Sequence, residues 1–309
     1  MSSRSIREDV HALAWSLWSE LGVAGLSREH SHVVLDPEPL IVATPSLVTE
    51  DPRLRDQVLG WCLAHSGRIS ASRLKGLLQA SPPEVVERFG GLAAALARRS
   101  VRWPVVVSST AWPDASKLKG PLPLQRSSLL RFRLRALCGV GARADVLAAM
   151  LGSGTAWLST AELARQGYTK RNVALVVAEL EAAGVLQARR DGAAVLYRLA
   201  EPKPLLELVG AEGVVVPAWQ TILALTLDLL DLSKHEAAPS TLRRVEADAF
   251  RRRAAPLAQL LDLNAPPATR GAADAWETVL DWGTRQIQDL AAGTSSAFPR
   301  SRRAPAAYE

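Results

Sequence analysis

Apolar residues recur at three- and four-residue steps along most of the chain, the spacing by which a helix buries one face. Over residues 8–21 the positions Val10, Leu13, Ala14, Leu17, Trp18 and Leu21 mark one such stripe, stopped by Gly22 and Gly25. Asp51-Pro52 is a helix start, an acceptor side chain followed by a ring already set at a helical φ. It places Leu54, Val58, Trp61 and Cys62 on one side of a helix over 52–64. Ser70 is the cap expected for residues 73–78. Ser81-Pro82-Pro83-Glu84 opens a helix carrying Val85, Val86, Phe89, Leu92, Ala95 and Leu96. The apolar run 40–47, behind Asp36-Pro37-Glu38-Pro39, is too short to assign. Near the other end, residues 219–232 are apolar nearly all round, which predicts a helix buried on every side or lying in an oligomer interface. Residues 242–261 and 273–290 read as ordinary amphipathic helices.

Between these helical ends the pattern changes twice. Residues 101–107 are compatible with a short strand. The Pro- and Lys-rich stretch that follows lacks any period, so 101–125 reads as a linker, docked by Trp103-Pro104 and Trp112-Pro113. Helical spacing resumes over 129–137 and 142–151. Ser159 or Thr160 caps a short helix over 161–165, closed by Gly167, and Thr169 caps another over 170–183, closed by Gly184. Two strand-like runs follow, 185–190 and 195–199, with Asp191-Gly192 between them as a hairpin turn. The expected organisation is an N-terminal helical domain (1–100), the linker (101–125), a central mixed module (126–200), a C-terminal helical domain (201–290) and a disordered tail (291–309).

The segment LSTAELARQGYTKRNVALVVAELEAAGVLQARRDGAAVLYRL, residues 158–199, together with the helix before it, resembles the winged helix-turn-helix of MarR-type and ArsR-type bacterial regulators. The resemblance implies a mainly α fold in which a central winged helix-turn-helix with a two-stranded wing is flanked by helical domains. It implies that the helix from Thr169 enters the DNA major groove and that the hairpin reaches the flanking groove or backbone. Val173, Val176, Val177 and Leu180 form the inward stripe of that helix. Lys170 and Arg171, at its start, are the leading candidates for base or phosphate contact. Asn172 is a candidate for adenine or for a bond within the first turn, and Thr169 for capping with phosphate contact besides. In the hairpin the candidates are Arg189, Arg190 and Arg198; strand alternation sends Arg189 and Arg190 to opposite faces. Arg131, Arg133 and Arg135 alternate with apolar residues at a strand-like spacing of two, but their flanks are helical, and they read as long side chains snorkelling around a core stripe.

Charge sharpens the picture. The chain of 309 residues carries +6 overall. Residues 1–125 hold 14 basic and 12 acidic side chains, residues 126–200 hold 11 and 5, and residues 201–309 hold 12 and 14. The central module thus has an excess as large as that of the whole chain, the distribution a polyanion reads. The expected partner is double-stranded DNA and the expected role a cytoplasmic, sequence-specific repressor. Homodimerisation is expected through the greasy helix over 219–232. Two rivals remain: an antitoxin-like or defence-operon regulator that also holds an unidentified protein partner through 1–100, and a protein–protein scaffold whose winged domain has lost DNA. Cys62 and Cys138 are too few for a disulfide framework and suit a reducing compartment. No apolar run reaches the ~20 residues of a membrane span. No catalytic motif, cofactor fingerprint or metal-ligand spacing is present, His30-x-His32 included, so no enzyme activity, cofactor or metal is expected.

Overall fold

The computed structural model describes residues 3–25, 28–104, 107–112, 120–210, 215–268 and 274–298. The chain is mainly helical, with thirteen α-helices and one three-stranded antiparallel sheet among the described residues. The N-terminal part supplies α1 (Ser3–Glu20), α2 (Pro37–Leu47), α3 (Pro52–His65), α4 (Ala71–Gln79) and α5 (Pro83–Ala97). The middle holds α6 (Leu130–Cys138), α7 (Ala142–Ser153), β1 (Leu158–Ser159), α8 (Thr160–Ala164), α9 (Lys170–Ala182), β2 (Leu186–Asp191), β3 (Ala194–Leu199) and α10 (Pro202–Val209). The C-terminal part is α11 (Trp219–Ser233), α12 (Ser240–Leu260) and α13 (Asp274–Ala291).

Local chemistry sets the helix starts. Asp51 Oδ1 accepts from the Leu54 amide at 2.9 Å, and Ser70 Oγ from that of Arg73 at 3.3 Å, each satisfying an amide the helix leaves free. Ser159 and Glu162 form a reciprocal capping box on α8. The segment judged too short to assign is α2, buried along nearly its whole length. An apolar helix enclosed on all sides shows no amphipathic period, which is why spacing alone misses it. Over 101–107 the described residues form no strand. Trp103 and Trp112 are buried, and Arg55 lies 4.6 Å over the Trp112 ring, so this stretch is docked onto the helices. Val105, Val106 and 113–119 lie outside the described residues.

Two hydrophobic cores result. The larger packs α1–α5 with α11–α13, so the stretches expected as separate N- and C-terminal domains share one interior. The smaller packs α7, α8 and α9 against the sheet. Tryptophan N–H groups tie distant segments of the larger core: Trp18 to Thr44 Oγ1 (3.0 Å), Trp61 to the Leu21 carbonyl (2.9 Å) and Trp219 to the Val34 carbonyl (2.7 Å). The all-round apolar helix α11 is enclosed by α1, α2, α12 and α13, with Ile222, Leu225 and Leu229 fully covered. The seam expected to pair two copies is therefore filled within one chain. The expected disordered tail begins as packed structure, because Ala297 and Phe298 are buried and Phe298 meets His30 edge-on and Trp219 at a tilt. Residues 299–309 lie outside the described residues.

Helix α6 stands between the cores and presents three faces, as a step of about 100° per residue requires. Leu129, just before it, and Phe132 enter the larger core; Leu130 and Leu134 enter the smaller one. Arg131 and Arg135 occupy the third face, only 1% and 3% exposed. They do not snorkel: the carboxylates that neutralise them lie inside the protein. Arg131 pairs with Asp145 (3.0 Å) and Asp36 (3.3 Å), and Arg135 with Glu38 (2.7 Å) and Asp145 (3.0 Å). Arg73 of α4 closes the cluster on Asp36 and on Glu38, the latter at 2.7 Å. Burial by itself raises the Asp145 pKa, but Arg135, Arg73 and Arg131 hold the carboxyl well below the usual carboxylate range. Three guanidinium groups thus face three carboxylates between α2, α4, α6 and α7.

His30 joins the ends of the larger core. Its Nε2 faces the Leu290 carbonyl at 2.7 Å, an oxygen that only accepts, so Nε2 carries the proton and Nδ1 accepts from Ser16 Oγ at 2.8 Å. Burial lowers its pKa from 6.5 to about 4, against the opposing pull of the Leu290 carbonyl. The unfolded chain therefore takes up this proton at a higher pH than the folded one. The stabilising difference is fully present above pH 6.5 and is lost as pH falls towards 4, a change of about 3 kcal/mol. Urea unfolding at pH 4.5 and 7 is expected to show this loss in the native chain and a flatter dependence in His30→Gln; equal slopes would contradict it.

Candidate nucleic-acid interface

The first turn of α9 is built as its sequence suggests. Thr169 Oγ1 accepts from the Asn172 amide at 3.2 Å and caps the helix. Val173, Val176, Val177 and Leu180 are buried. Lys170, Arg171 and Asn172 are exposed, and neither cation has an ion-pair partner among the described residues. Both add to the positive end of the helix dipole. Further along, the outward face is small and apolar: Ala174, Leu175 (60% exposed) and Ala178. Glu179 beyond them pairs with Arg143 of α7. Positive charge on α9 is thus concentrated at its start.

The sheet has the order β1-β3-β2, with Gln187 opposite Arg198, Arg189 opposite Leu196 and Asp191 opposite Ala194. That register makes Gly192-Ala193 the two-residue turn, one position later than the sequence implies. Gly192 has φ +59°, the left-handed conformation such turns demand of their first residue. Arg189 and Arg198 share a face, while Arg190 emerges on the other, opposite Val195. On the shared face, Trp157 lies 4.6 Å from each of the Arg189 and Arg198 guanidinium carbons. Gln187 Oε1 accepts from Arg198 Nε (3.1 Å) and one terminal nitrogen (3.0 Å). An aromatic face and an amide oxygen orient these two cations without neutralising them.

Lys170, Arg171 and Asn172 therefore form one exposed group, and Arg189 with the half-buried Arg198 another, while Arg190 is exposed on the opposite face of the hairpin. Neither Trp157 nor Gln187 stands among the candidates that the sequence pattern offered. The signal was a period of two across Trp157, Leu158 and Ser159, hidden because β1 is only two residues long. Arg131 and Arg135 leave the surface, and Asp145 with them. The segment 126–200 then holds nine basic and four acidic residues outside the buried cluster, so its positive excess persists at the surface.

The turn into α9 is held from behind. Gln166 Oε1 accepts from Arg131 at 2.9 Å, and Arg73 Nε donates to the Gln166 carbonyl. The Tyr168 hydroxyl donates to Asp145 at 2.7 Å and lies 3.3 Å from Ser70 Oγ. Burial, together with the adjoining Asp145 carboxylate, raises the pKa of this phenol.

Other features contribute nothing to this face. A cleft of about 900 Å³ lies among α1, α5, α11, α12 and the α2–α3 connection, and no residue of 126–200 lines it. Its walls mix both signs, with Asp228 beside Arg253 (3.5 Å) and Asp231 beside Lys234 (2.7 Å). No cluster of metal-ligating side chains occurs among the described residues, and His30 is occupied in the core. No helix among them is long and apolar enough to cross a membrane. No protein-family model, curated protein or solved structure matches the chain.

The cap gives a direct check on the start of α9. Thr169→Ala is expected to lower stability by about 1 kcal/mol, with Thr169→Ser restoring most of it. Denaturant unfolding reads both, and an alanine variant as stable as the parent would show that the cap contributes nothing.

Proposed function

We propose that residues 142–199 form a winged helix-turn-helix that binds duplex DNA, and that the chain is an intracellular transcription regulator acting as a repressor. The order α7, α8, α9, β2, β3 supports the first part, since three helices followed by a two-stranded hairpin is the order that the resemblance implies. In this reading α9 enters the major groove and the β2–β3 hairpin is the wing. The observation that carries the proposal is the exposed pair Lys170 and Arg171 at the N-terminus of α9, without an ion-pair partner among the described residues and on the same module as the stacked cations Arg189 and Arg198. The two free cysteines agree with a reducing compartment. With α11 enclosed in one chain, no surface is assigned to homodimerisation, and the number of copies per duplex is itself a result of the binding experiment.

A second reading rests on the outward face of α9. Ala174, Leu175 and Ala178 offer apolar contact where hydrogen-bonding side chains commonly read bases. A thymine methyl suits that face, and so does a protein partner. On the partner reading the module is a protein-docking scaffold.

Selection of bound fragments from random duplex DNA, followed by titrations at several salt concentrations, separates the readings. With about five phosphate contacts, log K against log salt is expected to slope at about −4 to −5. No duplex binding at low salt would leave the protein-docking reading standing. Among variants, Arg171→Ala is expected to reduce discrimination between selected and random duplex, whereas Arg189→Ala is expected to weaken both together. An Arg171→Ala variant with unchanged discrimination would remove α9 from the groove.

A further inference from the structure

Arg73 belongs to α4, 93 residues before Gln166 in the chain, yet its guanidinium reaches the turn that launches α9. One edge engages carboxylates of the body: Asp36 Oδ2 at 2.6 Å and Glu38 Oε2 at 2.7 Å. Its Nε donates to the main-chain carbonyl of Gln166. The contact is close along the whole turn. A Cβ on Gly76 of α4 would stand 2.3 Å from the Gly167 oxygen, and one on Gly167, which has φ +93°, would stand 3.1 Å from Arg73 Cγ. Backbone thus meets backbone, with glycine on both sides. Arg131 on the Gln166 side chain and Asp145 on the Tyr168 hydroxyl complete the grip.

We propose that Arg73 is a positioning residue for DNA recognition: by holding the Gln166 carbonyl it fixes where α9 starts and so where Lys170 and Arg171 stand relative to the arginines of the hairpin. The inference rests on the reading under Proposed function. A planar guanidinium serves two carboxylates and a carbonyl at once; an ammonium presents its three donors from a single point and cannot span them. Lysine at this position keeps the charge balance of the cluster but loses the hold on the turn. A displacement of about 1 Å at Arg171 suffices to take a base contact out of hydrogen-bonding range, while phosphate contacts tolerate it better.

The test uses the full chain, as Arg73→Lys and as Tyr168→Phe, the second of which preserves all six charges of the cluster. Three measurements are made: hydrogen exchange over residues 166–173, thermal stability, and affinity for a duplex selected by the parent protein and for a random one. Faster exchange in this stretch is expected, with about ten-fold weaker binding to the selected duplex and a smaller loss on the random one. Tyr168→Phe is expected to move both in the same direction by less, and it decides the matter if Arg73→Lys does not fold. Unchanged exchange with an unchanged selected-to-random ratio overturns the proposal. So does an equal loss on both duplexes, which marks a purely structural role. If the parent binds no duplex, the functional reading fails, while the exchange data still decide whether Arg73 holds the turn.

Discussion

Three arginines and three carboxylates buried between two hydrophobic cores are the interaction on which the arrangement of this protein depends. Taking such charges out of water costs several kcal/mol per ion, and the cost is met only where geometry and counter-charge are both good. Here Asp145 receives two guanidinium groups and the Tyr168 hydroxyl, and Glu38 receives two guanidinium groups and the Ser70 amide. The match is not complete, because the Nε atoms of Arg131 and Arg135 lack a partner among the described residues. Removing one member strands its neighbours as uncompensated buried charges, with a typical cost of ~3–5 kcal/mol. Well-packed apolar residues in place of such a cluster often give comparable stability, so what the paired charges add here is the set of directed contacts between named atoms.

Orientation is what the module needs. Its small core holds α7, α8, α9 and the sheet together and reaches the body only at its edge, through Val34 and the α6 residues Leu130 and Leu134. Helix α6 divides its residues among both cores and the ionic cluster, so a rotation of the module disturbs all three at once. The turn into α9 is gripped on the side facing the body, leaving the exposed first turn of α9 to face solvent.

Charge on the outside follows a different rule from charge on the inside. The buried arginines are neutralised one for one. Lys170 and Arg171 have no ion-pair partner among the described residues, and Arg189 and Arg198 are steered by a tryptophan face and an amide oxygen, which orient a cation and leave its charge available. Uncompensated, oriented cations on one module of an otherwise balanced chain are the electrostatic basis of the proposed function. The apolar patch of Ala174, Leu175 and Ala178 qualifies it by limiting hydrogen-bonded base readout to the first turn of α9.

Much of this was legible along the chain. Helix caps, the inward stripe of α9, the hairpin and the exposure of Lys170 and Arg171 follow from residues within a few positions of one another, and local patterns record local structure. Helix α2 escaped because a helix buried all round has no polar face to give a period. Trp157 escaped because a two-residue strand is too short to show one. The roles of Arg131 and Arg135 escaped for a deeper reason. A buried and an exposed arginine share one sequence symbol, and what separates them is a carboxylate close by in space but far along the chain: Glu38 is 97 residues from Arg135. The sequence alone determined which segments coil and which face each turns inward. Only the tertiary structure decided which charges are spent inside and which remain for a partner, because pairing over such separations depends on where the chain returns and not on what stands beside each residue.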